Sequence, residues 1–452
     1  MLPTPLRSAP PGFAEASAAL TTLDETLLGG LGRLADAQKD ALRALARAFD
    51  GSPLGPLVTD SVNAACSGPP QEAAMIGLAA AREALQGACA DALAAQLNAV
   101  LGRSAQDAPA TTTVDAPAEA LGLLSNARQW LVELGLAGLG QIEPGAVTAF
   151  DASLGELQLV SPAVLRPATL LTGFHQELLS KLPLAALTDA PRARWADLWS
   201  RSLLACLPKQ PALTNEAIDG AKLSPFMVEA QHHRNMVSAV IWGVLEHGGK
   251  QRVVRATLSG WRVDALAGEE SWWAVLRGFE STLREIGDRR ALTVSGALCS
   301  SGDLILKKTT PGQPVDVATV ASAAMALTEW PQVAPTDRHP VQLAVPVFIN
   351  SAPTRDEGVL SVPLGDGHVP ITFDRMSPLQ GLDAVTVAKS DRLWGLLRFD
   401  GGAWSFQPLA VQAKGAKTPS GPWEGIAAAA KTKSSTLAAL TERAGKLLRK
   451  KS

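Results

Sequence analysis

The stretch LWGLLRFDGGAWSFQPLAV, residues 393–411, decides how the second half of the chain folds. Two apolar runs, 393–399 and 403–411, flank Asp400-Gly401-Gly402, and a Gly-containing turn between such runs is the local signature of a β-hairpin. Working outward, the pattern recurs. Residues 236–246 and 251–265 flank His247-Gly248-Gly249-Lys250, and 292–299 and 303–308 flank Ser300-Ser301-Gly302. Residues 359–364 and 368–373 flank Asp366-Gly367, where Asp-Gly between alternating apolar runs predicts the turn. Val341, Leu343, Val345, Val347 and Ile349 alternate as one more strand, which Pro346 pushes to a sheet edge. One amphipathic helix is predicted at 269–286, with Trp272, Val275, Leu276, Phe279, Leu283 and Ile286 on its apolar face.

Upstream the periodicity is helical. Leu20, Leu23, Leu27, Leu28 and Leu31 open the series, and Gly29-Gly30 and Gly32 interrupt it. Residues 72–103 form an Ala-rich helical segment, and 118–139 and 165–187 follow. The clearest single helix is 191–207. Trp195, Leu198, Trp199, Leu203, Cys206 and Leu207 share a face opposite Arg192, Arg194 and Arg201, with Thr188 or Asp189 as cap and Pro191 in the first turn. The fold class expected is therefore α+β: an all-helical N-terminal half, then a hairpin-rich antiparallel or mixed sheet with covering helices, then a basic helix. The expected units are a helical subdomain at 1–103, a flexible linker at 104–117 and a second helical subdomain at 118–215. An α+β domain at 216–412 and a Gly/Pro/Lys tether with a basic amphipathic helix at 413–452 complete the chain.

The net charge of -2 and the charged content of 19% describe a surface with little self-repulsion, which suits a chain that lives in a complex. Charge is unevenly placed. Residues 411–452 carry nine Lys/Arg against Glu424 and Glu442, a local balance of +7 that leaves -9 on the remainder. In that tail Leu437, Leu440, Ala444, Leu447 and Leu448 lie on one side of a helix and the basic residues largely on the other. Arg443, Lys446, Leu447, Arg449 and Lys450 are the side chains expected to meet a partner protein. The N-terminus lacks the basic and apolar regions of a signal peptide, and the longest apolar run, 236–245, is far short of a membrane span of about 20 residues. A cytoplasmic, reducing setting is the expectation, and the Ala/Leu/Gly/Pro/Arg bias points to a bacterial source.

Chemistry-bearing motifs are scarce. Cys66, Cys89, Cys206 and Cys299 are scattered beside Ala or Leu, as small buried apolar residues. His232-His233 cannot easily serve one metal ion, because adjacent side chains diverge on strand and helix alike. Gly248-Gly249-Lys250 lacks the phosphate-loop pattern, and no Gly-rich dinucleotide fingerprint, nucleophile elbow or paired-His zinc motif occurs. No cofactor and no metal site is expected, and catalytic residues stay unassigned. Tyrosine, a common general acid and stacking platform, is absent against eleven tryptophans.

These observations lead to a non-enzymatic adaptor or structural subunit of a multiprotein assembly. Partners would bind through the helical surface and the basic C-terminal helix. An enzyme with a site between the helical and β modules is the first alternative, drawing on His232, His233, Asp337, His339 or His368. A nucleic-acid accessory protein is the second, using the basic tail and Lys250, Arg252, Arg255 and Arg262 beside Trp242 and Trp261.

Overall fold

The computed structural model describes residues 1–232, 236–261, 272–276 and 278–431. The N-terminal half is helical: α1 (Phe13–Gly29), α2 (Asp36–Arg47), α3 (Gly55–Ser67), α4 (Glu72–Leu101), α5 (Leu121–Ala137), α6 (Pro144–Thr148), α7 (Asp151–Val160), α8 (Leu165–Lys181) and α9 (Arg192–Ala205). Trp195, Trp199, Leu203 and Cys206 of the α9 stripe are buried, as the periodicity requires. Pro191 itself occupies the cap position of α9, and Asp189 instead accepts from the backbone N–H of Ala186.

A single apolar cluster joins Leu23, Leu27, Met75 and Leu78 to Leu124, Leu131, Phe174 and Trp199, across both expected helical subdomains. The seam includes direct backbone contact. Leu31 and Gly32 donate to the carbonyls of Gly135 and Leu136, and Leu139 and Gly140 donate to those of Leu27 and Leu28. Two glycines permit it. A Cβ on Gly30 (φ 104°) would meet the Ala137 carbonyl at 2.8 Å, and one on Gly138 (φ 96°) would meet the Gly29 backbone at 2.6 Å. The interruption read at 29–32 is thus the place where α1 and α5 join.

The stretch 104–117, expected as a flexible linker, is partly ordered. Within it β1 (Thr111–Asp115) pairs antiparallel with β2 (Lys209–Leu213). Gln106 further ties the segment to the β module, donating to the Thr328 carbonyl (2.8 Å) and accepting from Gln332 Nε2 (3.1 Å).

The second half is built on antiparallel hairpins. β3 (Asn215–His232), β4 (Met236–His247), β5 (Lys250–Trp261), β6 (Arg290–Cys299) and β7 (Leu304–Pro314) form a five-stranded sheet in the order β5-β4-β3-β6-β7. The edges approach each other where Arg255 bridges to Asp303, so the sheet curls strongly. β8 (Ala344–Ile349) is an edge strand paired with β12 (Ser390–Asp400), which pairs on its other side with β13 (Ala403–Ala413), and a small sheet comprises β9 (Thr354–Asp356), β10 (Val359–Leu364) and β11 (Gly367–Pro370). Helices α10 (Glu280–Gly287), α11 (Val317–Met325), α12 (Ala384–Ala388) and α13 (Trp423–Lys431) cover them.

Three details differ from expectation. The central strand β3, Asn215–His232, precedes the first hairpin expected at 236–265 and was not among the expected strands, and His232 ends it. The β10–β11 turn is Gly365-Asp366, one residue earlier than Asp366-Gly367, because Leu364 pairs with Gly367. Gly367 instead lets the N-terminus cross it: an added Cβ would lie 2.4 Å from the Pro3 nitrogen, while Asp366 accepts from the Thr4 backbone N–H (2.9 Å) and hydroxyl. The predicted helix at 269–286 is realised, among the described residues, as a short 3-10 turn at Trp273–Leu276 and α10.

The tail also divides differently. Trp423 and Ile426 of α13 are buried in the β-module core, and Arg289 pairs with Glu424 at 2.6 Å, so the body extends past the boundary expected at 413. Arg443, Lys446, Leu447, Arg449 and Lys450 lie outside the described residues, as do His233 and Arg262.

Removing a fully buried indole costs about 3–5 kcal/mol. Trp423→Ala is therefore expected to lower the chemical-denaturation midpoint substantially, and truncation at Gln412 to destabilise the β module more severely. An unchanged midpoint for the truncation would contradict the packing of α13.

Candidate binding cleft between the modules

The residue that organises the joint is Arg82, 1% exposed, on α4. Its guanidinium grips Asp24 of α1 with two bonds, Nε to Oδ1 at 2.7 Å and Nη2 to Oδ2 at 3.2 Å. Nη1 reaches Glu83 (3.0 Å) and, more loosely, Asp197 of α9 (3.5 Å). Arg201 completes the cluster, meeting Glu83 at 3.1 Å and Asp197 at 2.8 Å. Burial works against charge on Arg82, but Asp24, Glu83 and Asp197 outweigh it and hold the guanidinium above its ordinary pKa. Burial pushes the Glu83 carboxyl up.

The segment 335–342 from the β half docks onto this cluster. Arg166 donates to Thr336 Oγ1 (2.9 Å) and Asp337 (2.6 Å), and Arg201 donates to the Thr336 carbonyl (2.5 Å). Arg338 pairs with Asp91 of α4 at 2.7 Å. His339 Nδ1 accepts from the Val341 backbone N–H (3.0 Å), so the ring proton sits on Nε2, which lies 2.8 Å from the Gln86 side-chain amide. Burial lowers the His339 pKa to about 4 against the pull of Asp197, 3.8 Å away, so the imidazole is neutral at neutral pH.

Of the five side chains gathered under the catalytic alternative, Asp337 and His339 are brought together. His232 is elsewhere, bonded through Nδ1 to Ser377 (2.8 Å) and against Trp272, and His368 lies in β11, its backbone N–H on the Met1 carbonyl. Among the described residues no group of three His, Cys, Asp or Glu is placed to hold a metal ion, and no helix is long and apolar enough to cross a membrane. The positive stretch of β5 is largely compensated: Arg255 holds Asp303 in a two-bond pair (2.7 and 3.0 Å), and Arg252 lies 3.7 Å from both Glu216 and Glu329.

Beyond the docked segment a cleft opens between the C-terminal half of α4 and the β module. One cavity of about 380 Å³ is walled by Ala90, Ala94 and Asn98 of α4, by Trp242 and Trp330, and by 343–346. A second, about 480 Å³, lies along 101–107 and 325–329, and Arg103 lines both. The Arg103 guanidinium stacks over Trp330 at 3.8 Å, within cation–π range. Burial pulls its pKa down to about 10, and among the described residues no carboxylate offsets that. Sequence reasoning missed both sites because their members come from segments more than 200 residues apart. The only local signals were the small-residue stripe of α4 and an isolated Arg-after-Gly at its end.

No family model, curated protein or solved structure matches the chain.

Two outcomes test the cluster. Arg82→Met leaves Asp24 buried without its partner, and Glu83 with Arg201 alone, and is expected to cost about 3–5 kcal/mol of stability, read by urea unfolding. His339 has a folded pKa of about 4 against 6.5 unfolded, so the unfolded chain takes up its proton first and stability falls as pH drops from 6.5 towards 4. Glu83 and Asp24, whose carboxyls burial raises, act in the opposite sense. The His339 contribution is therefore the difference between wild type and His339→Gln: about 3 kcal/mol more stability lost by wild type across that window. Parallel profiles would contradict a buried neutral imidazole.

Proposed function

We propose that the protein is a non-enzymatic adaptor or structural subunit of a bacterial cytoplasmic multiprotein assembly. The observation that carries the reading is the apolar surface left on the helical module. Leu121, Leu159, Leu165, Leu179 and Leu187 are exposed, Leu159 at 87%. Ile305, Val359 and Val385 of the β half are exposed as well, and such side chains mark a partner surface where they form one contiguous patch. The joint supports the same reading. Asp337 and His339, the two catalytic candidates that meet, are occupied in clamping the modules together, a use in which they hold position rather than act on a substrate. The basic segment around Arg443, Lys446, Leu447, Arg449 and Lys450, whose spacing predicts an amphipathic helix, is the second expected contact, and an acidic protein surface suits its composition better than nucleic acid.

The test is affinity purification of tagged full-length protein, of a truncation ending at Lys431, which keeps the buried Trp423, and of a Leu159→Glu/Leu165→Glu variant. The expected result is a stoichiometric protein partner with the full chain that is reduced or lost in one or both altered forms. Recovery of a monodisperse lone protein in all three samples would overturn the adaptor reading.

A further inference from the structure

The cleft has chemistry that the adaptor reading does not use. Its wall holds one cation without a carboxylate. Arg103 donates to the Pro346 carbonyl at 3.2 Å and to the Met325 sulfur at 3.6 Å, both from Nη2, and no acidic side chain lies within ion-pair distance among the described residues. The neighbouring cations are engaged: Arg338 with Asp91, and Arg255 with Asp303. The wall also holds an orphan donor. Trp242 is 3% exposed and its indole N–H, like those of Trp195, Trp394 and Trp423, has no acceptor among the described residues; of these four it is the one that lines this cavity. Apolar side chains line part of the cavity, with Ala90 and Ala94 on one side, Leu343 and Val345 on the other and the Trp330 ring beneath the guanidinium, while Asn98, Gln106 and the paired Asp91 and Arg338 add polar lining.

We propose that this cavity binds a small organic monocarboxylate, an acid with one carboxylate head and an apolar body. A carboxylate supplies the charge that Arg103 lacks and several lone pairs that an indole N–H can use. A single uncompensated cation matches a monoanion better than a phosphate, whose double charge calls for several cations or a helix N-terminus. The Ala, Leu, Val and Trp walls match an apolar body, and about 380 Å³ falls in the usual range for small-molecule sites, roughly 300–1,000 Å³. The site is independent of the adaptor reading and stands or falls separately from it.

The experiment uses the full chain and follows tryptophan fluorescence and thermal stability during titration. The probes are octanoate, phenylbutyrate, a Leu-terminated tripeptide with a free carboxylate, octanamide and inorganic phosphate. Saturable binding of an acid is expected, with octanamide weaker by about tenfold or more, the size of one charge-assisted contact. Arg103→Met should weaken the acid by a similar factor. Ala94→Leu, which fills the cavity and keeps the charge, should abolish binding; should the Arg103 variant fold poorly, this variant and the octanamide comparison decide. Binding of the tripeptide acid without the free acids keeps the carboxylate site and assigns its source to a chain terminus. No saturable binding by any of the three acids overturns the proposal. So does equal affinity for octanamide, tighter binding of phosphate, or unchanged affinity in both variants.

Discussion

One helix belongs to two cores, and the arrangement of the molecule depends on it. α4 has 30 residues, about 45 Å at the α-helical rise of about 1.5 Å per residue. Met75, Leu78 and Leu85 in its first half sit in the helical module's core, while Leu93 and Leu97 pack with Val347, Val362, Leu393 and Phe406 of the β half. A continuous helix transmits position along its length, so whatever fixes its first half also sets where its second half presents Ala90, Ala94 and Asn98 to the cleft. Arg82 fixes it rotationally to α1 and α9 by ion pairs that a buried site makes strongly interdependent. The 335–342 segment then fixes the β half to the same point.

The second junction is made inside the β half and uses polar groups in the same way. Gln380, fully buried, donates to the carbonyls of Val228 and Leu409 and accepts from the Ala230 N–H, joining β3 to β13. Arg398 of β12 meets Glu229 of β3 at 2.7 Å, with both side chains about nine-tenths buried. Burial lowers the Arg398 pKa, with Glu229 pulling the other way. Buried polar contacts of this kind specify one arrangement of the sheets more than they add to stability, because each leaves a costly orphan when its partner is misplaced.

The sequence was legible where structure is local. Gly248-Gly249 and Gly401-Gly402 all have positive φ, the requirement of a two-residue hairpin turn, so those turns could be read from residue type alone. The Trp195–Trp199 stripe followed from helical spacing. β3 was less visible, because Phe226, Met227, Val228, Glu229 and Ala230 are all buried and erase the alternation that marks a strand with one wet face. β1 gave no apolar signal, since all five of its residues are exposed and its partner lies about a hundred residues away. The Asp366-Gly367 turn lies one residue earlier because Leu364 pairs with Gly367, a register that residue type alone leaves open. The cluster and the cleft depend on long-range convergence, which residue type and spacing do not encode.

The central claim is that α4 is one rigid element shared by both modules, and native-state hydrogen exchange along it tests this most directly. Amides in the first half, near Met75 and Leu78, and in the second half, near Leu93 and Leu97, are expected to open with the same free energy and the same denaturant dependence, as one cooperative unit. Independent opening of the second half, with protection well below that of the first, would contradict it.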